Sequence, residues 1–204
     1  MDFHYNALAC DIHENAKAHG WYEAEPSFAS ICANIHGELS EAWEEYRNKH
    51  PLLWYACGLD EPGIVCIENE CQINCPSKGD KPEGIAVELA DVAIRMLDIA
   101  SHWGADIDAA MAIASNLDDL ADRQLLHEDS TIDVMPDLIA RLHDLISMAH
   151  RNTDRDCVLI YFCRAICLMD DFVRKHLLEP LEVYIRLKHA YNVKRPYRHG
   201  GKAC

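Results

Sequence analysis

Two pairs of acidic residues have the spacing to do chemistry. Glu38-Leu39-Ser40-Glu41 and Glu88-Leu89-Ala90-Asp91 each set two carboxylates three residues apart. On a helix such residues share a face, so each pair aims both acids the same way. Glu45 extends the first face by another turn. If the two helices pack antiparallel, four carboxylates converge, and converging anions do not stay ionised together without cations. Hard divalent ions meet that need, and an all-oxygen donor set favours Mg²⁺, or Mn²⁺, over Zn²⁺. A ferritin-like di-iron site needs Glu-x-x-His pairs, and no glutamate here is followed by histidine three residues later. A solvated acidic face is the plain alternative for either pair taken alone.

A cationic row lies near the other end. Lys188, Asn192 and Arg195 are spaced four and then three residues apart, which puts an ammonium, an amide and a guanidinium on one helical face. Such a row can hold phosphate oxygens by charge and by fork geometry. Pro196 ends the helix, and Tyr197, Arg198, Gly200, Gly201 and Lys202 follow. The glycines let backbone and Lys202 approach a ligand closely. Tyr197 could stack on a ring or simply pack.

Nine of the ten cysteines, all but Cys204, fall into two groups. Cys10, Cys32, Cys157, Cys163 and Cys167 sit in apolar helical surroundings and read as core fillers. Cys57, Cys66, Cys71 and Cys75 crowd one polar stretch, where they could hold structural Zn²⁺ or remain free thiols. Their spacing contains no Cys-x-x-Cys.

The elements that must position these residues are helical. Phe28, Ile31, Ile35, Leu39, Ala42 and Tyr46 draw one apolar stripe, with Ser27 as its N-cap. Val87, Ala90, Ile94 and Leu97 repeat the pattern in a second helix opened by Pro82. Further helices are expected over Tyr5–His19, ending at Gly20, from Asp106 to about Gln124, and over Pro136–His150, Cys157–His176 and Pro180–Val193. Residues 50–81 carry prolines, glycines and the clustered cysteines, and read as a long inserted loop. The expected fold class is all-α, built of packed helix hairpins. One domain spans 1–204, with a carboxylate-bearing half over 1–125 and a half bearing the cationic helix and basic tail over 130–204.

Composition excludes several classes of function. Half of the 204 residues are hydrophobic and 26% are charged, which suits a folded chain. The net charge of −15 opposes nucleic-acid binding. No apolar run reaches the length of a membrane span, and the N-terminus lacks the basic and apolar regions of a signal peptide. A cytoplasmic protein with reduced thiols is expected. The six basic residues between Arg186 and Cys204, with no acid among them, leave the rest of the chain more acidic still. An acidic body with a cationic tail suits a small anion held between metal-loaded carboxylates and a clamp.

Taken together, the motifs resemble the MazG-like all-α nucleoside triphosphate pyrophosphohydrolases, a superfamily that includes dimeric dUTPases and phosphoribosyl-ATP pyrophosphohydrolase. The resemblance rests on His13-Glu14-Asn15-Ala16-Lys17 with Gly20-Trp21, on His36-Gly37-Glu38-Leu39-Ser40-Glu41-Ala42, on Lys81-Pro82-Glu83-Gly84-Ile85, on Val87-Glu88-Leu89-Ala90-Asp91-Val92, and on Lys188, Asn192 and Arg195-Pro196-Tyr197-Arg198-His199-Gly200-Gly201-Lys202. It implies Mg²⁺-dependent hydrolysis of a nucleoside triphosphate, a deoxynucleotide above all, to the monophosphate and pyrophosphate. Glu38, Glu41, Glu88 and Asp91 would then hold metal, with Glu38 or Glu41 as the base. Lys188, Asn192, Arg195, Tyr197, Arg198 and Lys202 would bind the substrate. It also implies a homodimer. A nucleotide sensor without turnover is the alternative.

Two departures stand out. The acidic motifs are separated by the cysteine stretch, and an extra segment runs from about Ala109 to Leu177. An internal match offers a reason. Ile35-His36 and Leu39-Ser40-Glu41-Ala42 line up with Leu142-His143 and Ile146-Ser147-Met148-Ala149, and Ala93–Asp98 lines up with Ala165–Asp170. After a four-residue shift Asn116 matches Asn192, so Ala112 and Asp119 replace the lysine and arginine in the first half, while Leu145 and Met148 replace Glu38 and Glu41 in the second. Complementary loss of this kind is expected of a fused pseudo-dimer with one surviving site.

Overall fold

The computed structural model describes residues 4–57, 65–67, 78–117, 122, 125, 131–177 and 179–198. Helices dominate it, as the periodicity requires. Helix α1 (Tyr5–Ala18) buries Tyr5, Leu8, Ala9, Ile12 and Ala16, an i, i+3/i+4 stripe. It closes at Gly20, whose φ of +81° reverses the chain. Helix α2 (Phe28–Arg47) starts at Ser27, whose side chain accepts the Ser30 N–H at 3.1 Å. Helix α3 (Ile85–His102) is buried along most of its length and forms the centre of the molecule. Helix α4 (Ile107–Ala114) is capped by Asp106, which accepts the Ala109 N–H at 3.2 Å. A 3₁₀ turn, Ile132–Val134, leads into α5 (Met135–His150), followed by α6 (Arg155–Leu177) and α7 (Leu181–Asn192).

Two helix hairpins, α2–α3 and α5–α6, build the core. The first is antiparallel: Phe28 at the start of α2 lies 5.5 Å from Trp103 just past α3, ring to ring. The hairpins meet through α2 and α5, also antiparallel, with Phe28 near His150. Midway, the His36 and His143 rings stack at 4.9 Å with their Nδ1 atoms 2.7 Å apart. These two histidines are partners in the internal sequence match, so matched residues meet at the junction. Part of the remaining packing is reciprocal, since α7 lies on α3 and α4 lies on α6; α1 also lies on α3, with no counterpart on α6 among the described residues.

Several expectations need correction. Residues 50–81 are not all loop: β1 (Trp54–Cys57) pairs antiparallel with β2 (Val65–Ile67) and with β3 (Lys78–Glu83), in the order β2-β1-β3. The strands are too short to show alternation. Pro82 does not open α3; it lies in β3 opposite Tyr55, on an edge strand where its missing N–H costs no ladder bond. Helix α3 starts instead at Ile85, after Gly84. Gly84 has φ +108°, and a Cβ there would stand 2.7 Å from the Pro51 and Leu52 carbonyl oxygens. Helix α4 stops at Ala114, well short of Gln124, because Ser115 Oγ and Asn116 Nδ2 both donate to the Ala112 carbonyl and end the last turn. Cys32 and Cys163 are core fillers, but Cys10 and Cys157 are exposed, on the outer face of α1 and in the first turn of α6. No helix among the described residues is long and apolar enough to cross a membrane.

Candidate metal and anion site

The antiparallel α2–α3 hairpin brings the acidic pairs together. One carboxylate oxygen from each of Glu38, Glu88 and Asp91 lies within 4.8 Å of the others. Glu88 is the most enclosed, at 4% exposure, because α3 is surrounded by other helices. Its Oε2 has no hydrogen-bond partner among the described residues. Burial pushes the Glu88 carboxyl up to about 8; Lys188 pulls it down, and Asp91, Glu41 and Glu38 push it further up. Burial and Asp91 also raise Glu38, against the pull of Arg95. Glu41 lies on the cavity wall with its side chain exposed. Glu45 does not join them: its Oε2 accepts from Trp54 Nε1 at 2.7 Å and meets His50 Nδ1 at 3.1 Å, which ties β1 to α2.

Two fixed cations reach into this cluster. Lys188 on α7 is 3% exposed, and its Nζ lies 2.7 Å from Asp91 Oδ2. Burial alone would lower its pKa, but Asp91 and Glu88 outweigh burial and hold it above the ordinary value. Arg95 donates to Glu38 Oε1 from Nε at 3.1 Å and from Nη2 at 2.9 Å. Arg95 is not among the residues that the motifs single out. Its signal is the four-residue spacing from Asp91, which puts both on one helical face.

The cluster lines a cavity of about 420 Å³, which Asn192 and Arg195 also line, so all three members of the cationic row reach it. Asn192 Oδ1 is buried without a hydrogen-bond partner among the described residues. Trp21, Tyr22 and Asp98 also line the cavity. Asp98 accepts from His13 Nδ1 at 2.7 Å, and the Tyr22 ring meets those of His13, at 4.6 Å, and His102, at 4.8 Å, which themselves lie 5.3 Å apart. Burial raises the Asp98 carboxyl, and its bonds to His13 and Tyr22 lower it. Trp21 and His13 belong to the N-terminal segment that the resemblance includes, whereas Tyr22 and Asp98 carry no signal in the sequence, since only packing brings the turn after α1 onto α3.

The tail departs from expectation. Tyr197 and Arg198 do not line the cavity. The turn after α7 carries them onto the α1–α2 connection, where the Tyr197 hydroxyl donates to Glu23 Oε1 and Arg198 Nη2 lies 2.6 Å from Glu23 Oε2. The Arg198 N–H donates to the His19 carbonyl at 3.1 Å, and His19 Nε2 donates to the Arg195 carbonyl at 2.9 Å. The Tyr197 ring covers Gly20, where no Cβ would fit. These contacts fix the chain just past Arg195, so Tyr197 and Arg198 hold the end of the cationic row in place. Lys202 lies outside the described residues, as do Cys71 and Cys75 and the side chains of Cys57 and Cys66, and with them the zinc expectation. Compared with family models, with curated proteins and with solved structures, the chain matches none.

Proposed function

We propose that the protein is a MazG-like pyrophosphohydrolase that cleaves a nucleoside triphosphate to the monophosphate and pyrophosphate. One observation carries the reading: three converging carboxylates and three cationic or amide groups share one cavity, which Trp21 and Tyr22 also line. A cavity of this volume is of the size that takes small ligands. A ligand with a polyanionic end and a flat ring would touch both the charged and the aromatic lining. The donor set fits Mg²⁺, or Mn²⁺: every donor is a carboxylate oxygen, and Glu88 Oε2 is buried without a partner among the described residues. Bound there by Glu38, Glu88 and Asp91, with Glu41 beside them, such an ion would supply charge neutralisation and acidify nearby water.

This chain's own residues would do the rest. Lys188, Asn192 and Arg195 hold the phosphate chain and stabilise charge that builds on it. Water attacks the α-phosphorus, the bond from that phosphorus to the bridging oxygen breaks, and pyrophosphate leaves. Glu41 is the better base, because Arg95 already engages the Glu38 carboxylate. Trp21 and Tyr22 would face the base. The reciprocal helix packing supports an internal duplication, in which one chain holds a whole site between α3 and α7.

A nucleotide sensor without turnover is the second reading. It is favoured by the ion pairs already made by Glu38 and Asp91, which compete with metal. Pyrophosphate release from a panel of NTPs and dNTPs, with Mg²⁺ and with EDTA, separates the two. Metal-dependent release is expected. Thermal stabilisation by a nucleotide with no release would select the sensor, and neither effect would overturn both.

A further inference from the structure

Arg95 is a cation placed where a metal site would be expected to have only anions. It lies one turn beyond Asp91 on α3, and both its Nε and its Nη2 are spent on a single oxygen, Glu38 Oε1. A guanidinium stays protonated at any working pH, so its charge does not withdraw when another cation arrives. Lys188 places a second positive charge on Asp91 Oδ2. Ionised, Glu38, Glu41, Glu88 and Asp91 carry four negative charges, and Arg95 and Lys188 offset two. What remains matches one divalent ion. Glu88, only 4% exposed, offers that ion an unpartnered Oε2. A second ion would have to share the Glu38 carboxylate with Arg95, whose charge repels it.

Resting on the metal-site reading above, we propose that Arg95 is a built-in cation that limits the carboxylate cluster to a single divalent ion in the nucleotide-free protein. The side chain thus acts as a positioning residue that sets metal number.

The test is Mn²⁺ binding to the nucleotide-free full chain, followed by the electron paramagnetic resonance of free Mn²⁺, with no turnover involved. The wild type is expected to bind one ion. Arg95→Met should bind a second ion, or bind the first roughly tenfold more tightly, because a like charge has gone. Arg95→Lys keeps the charge, so it should bind one ion with affinity within about threefold of wild type. If Arg95 served only to align Glu38, both variants would bind Mn²⁺ more weakly, and that result overturns the proposal. Two ions on the wild type also overturn it. No ion on the wild type removes the metal reading altogether, whereas one ion with no gain in Arg95→Met removes only the role of Arg95. Should Arg95→Met lose helix content, Arg95→Lys decides: a large loss of affinity there counts against a charge effect.

Discussion

The α2–α3 and α5–α6 hairpins hold matching places in the fold but opposite chemistry. The first carries Glu38, Glu41, Glu88 and Asp91. At the matched positions the second carries Leu145, Met148, Ile160 and Cys163. Leu145 is fully buried and Cys163 nearly so, and both belong to the apolar core. The acidic hairpin encloses like charges that need a cation, and Glu88 is driven toward its protonated form as a result. The apolar hairpin carries no such conflict. The difference teaches that matched places in a fold can carry a buried acidic cluster in one hairpin and plain apolar core in the other. A cluster of carboxylates weakens metal-free packing, and the apolar half compensates.

The largest effect expected from breaking this contrast is on turnover. Asp91→Asn or Glu41→Gln should lower pyrophosphate release by roughly a hundredfold or more while the far-ultraviolet circular dichroism stays unchanged. Met148→Gln, at the position matched to Glu41 and on an exposed side chain, should leave release within about twofold. Full Mg²⁺-dependent activity in either acidic variant contradicts the site.

Stability should respond the other way round. Leu145→Ala should cost about 3 kcal/mol in denaturant unfolding, the usual range for a buried leucine. Glu88→Gln in EDTA should instead gain on the wild type as pH rises from about 5 to about 8. The sign follows from the raised carboxyl: folded Glu88 keeps a proton that the unfolded chain releases, so its contribution is intact at low pH and lost as pH climbs through about 8. Equal pH slopes for the two proteins would count against an enclosed Glu88.

The smallest effect belongs to the junction. Burial lowers both His36 and His143, with His150 adding to the first and His36 to the second. The unfolded chain therefore takes up protons that the folded pair refuses, and stability is lost as pH falls below about 6.5. His143→Gln should flatten that loss in melting temperature between about pH 7 and pH 5. An unchanged slope would mean that the pair does not titrate with unfolding.

Much of the site is legible in the amino-acid sequence, and for a physical reason. Spacings of three and four residues fix which side chains share a helical face, so Glu38 with Glu41, Glu88 with Asp91, and Lys188 with Asn192 group by position alone. The same periodicity locates most of the helices and carries the all-α class. It fails where side chains override it. Ser115 and Asn116 end α4 by capturing a carbonyl, and Pro82 sits harmlessly on the edge of a sheet whose strands are too short to alternate.

By itself, then, the sequence determined local faces: which residues point together on each helix, and that two acidic faces and one cationic face exist. Tertiary structure alone decided how those faces meet. It set Lys188 against Asp91 and Arg95 against Glu38 across different helices. It also turned Tyr197 and Arg198 away to Glu23, and gave Glu88 its burial. The reason is range. Helical periodicity acts over a few residues, whereas the charge balance of this cavity depends on pairs as distant along the chain as Asp91 and Lys188, which only packing around α3 brings within reach.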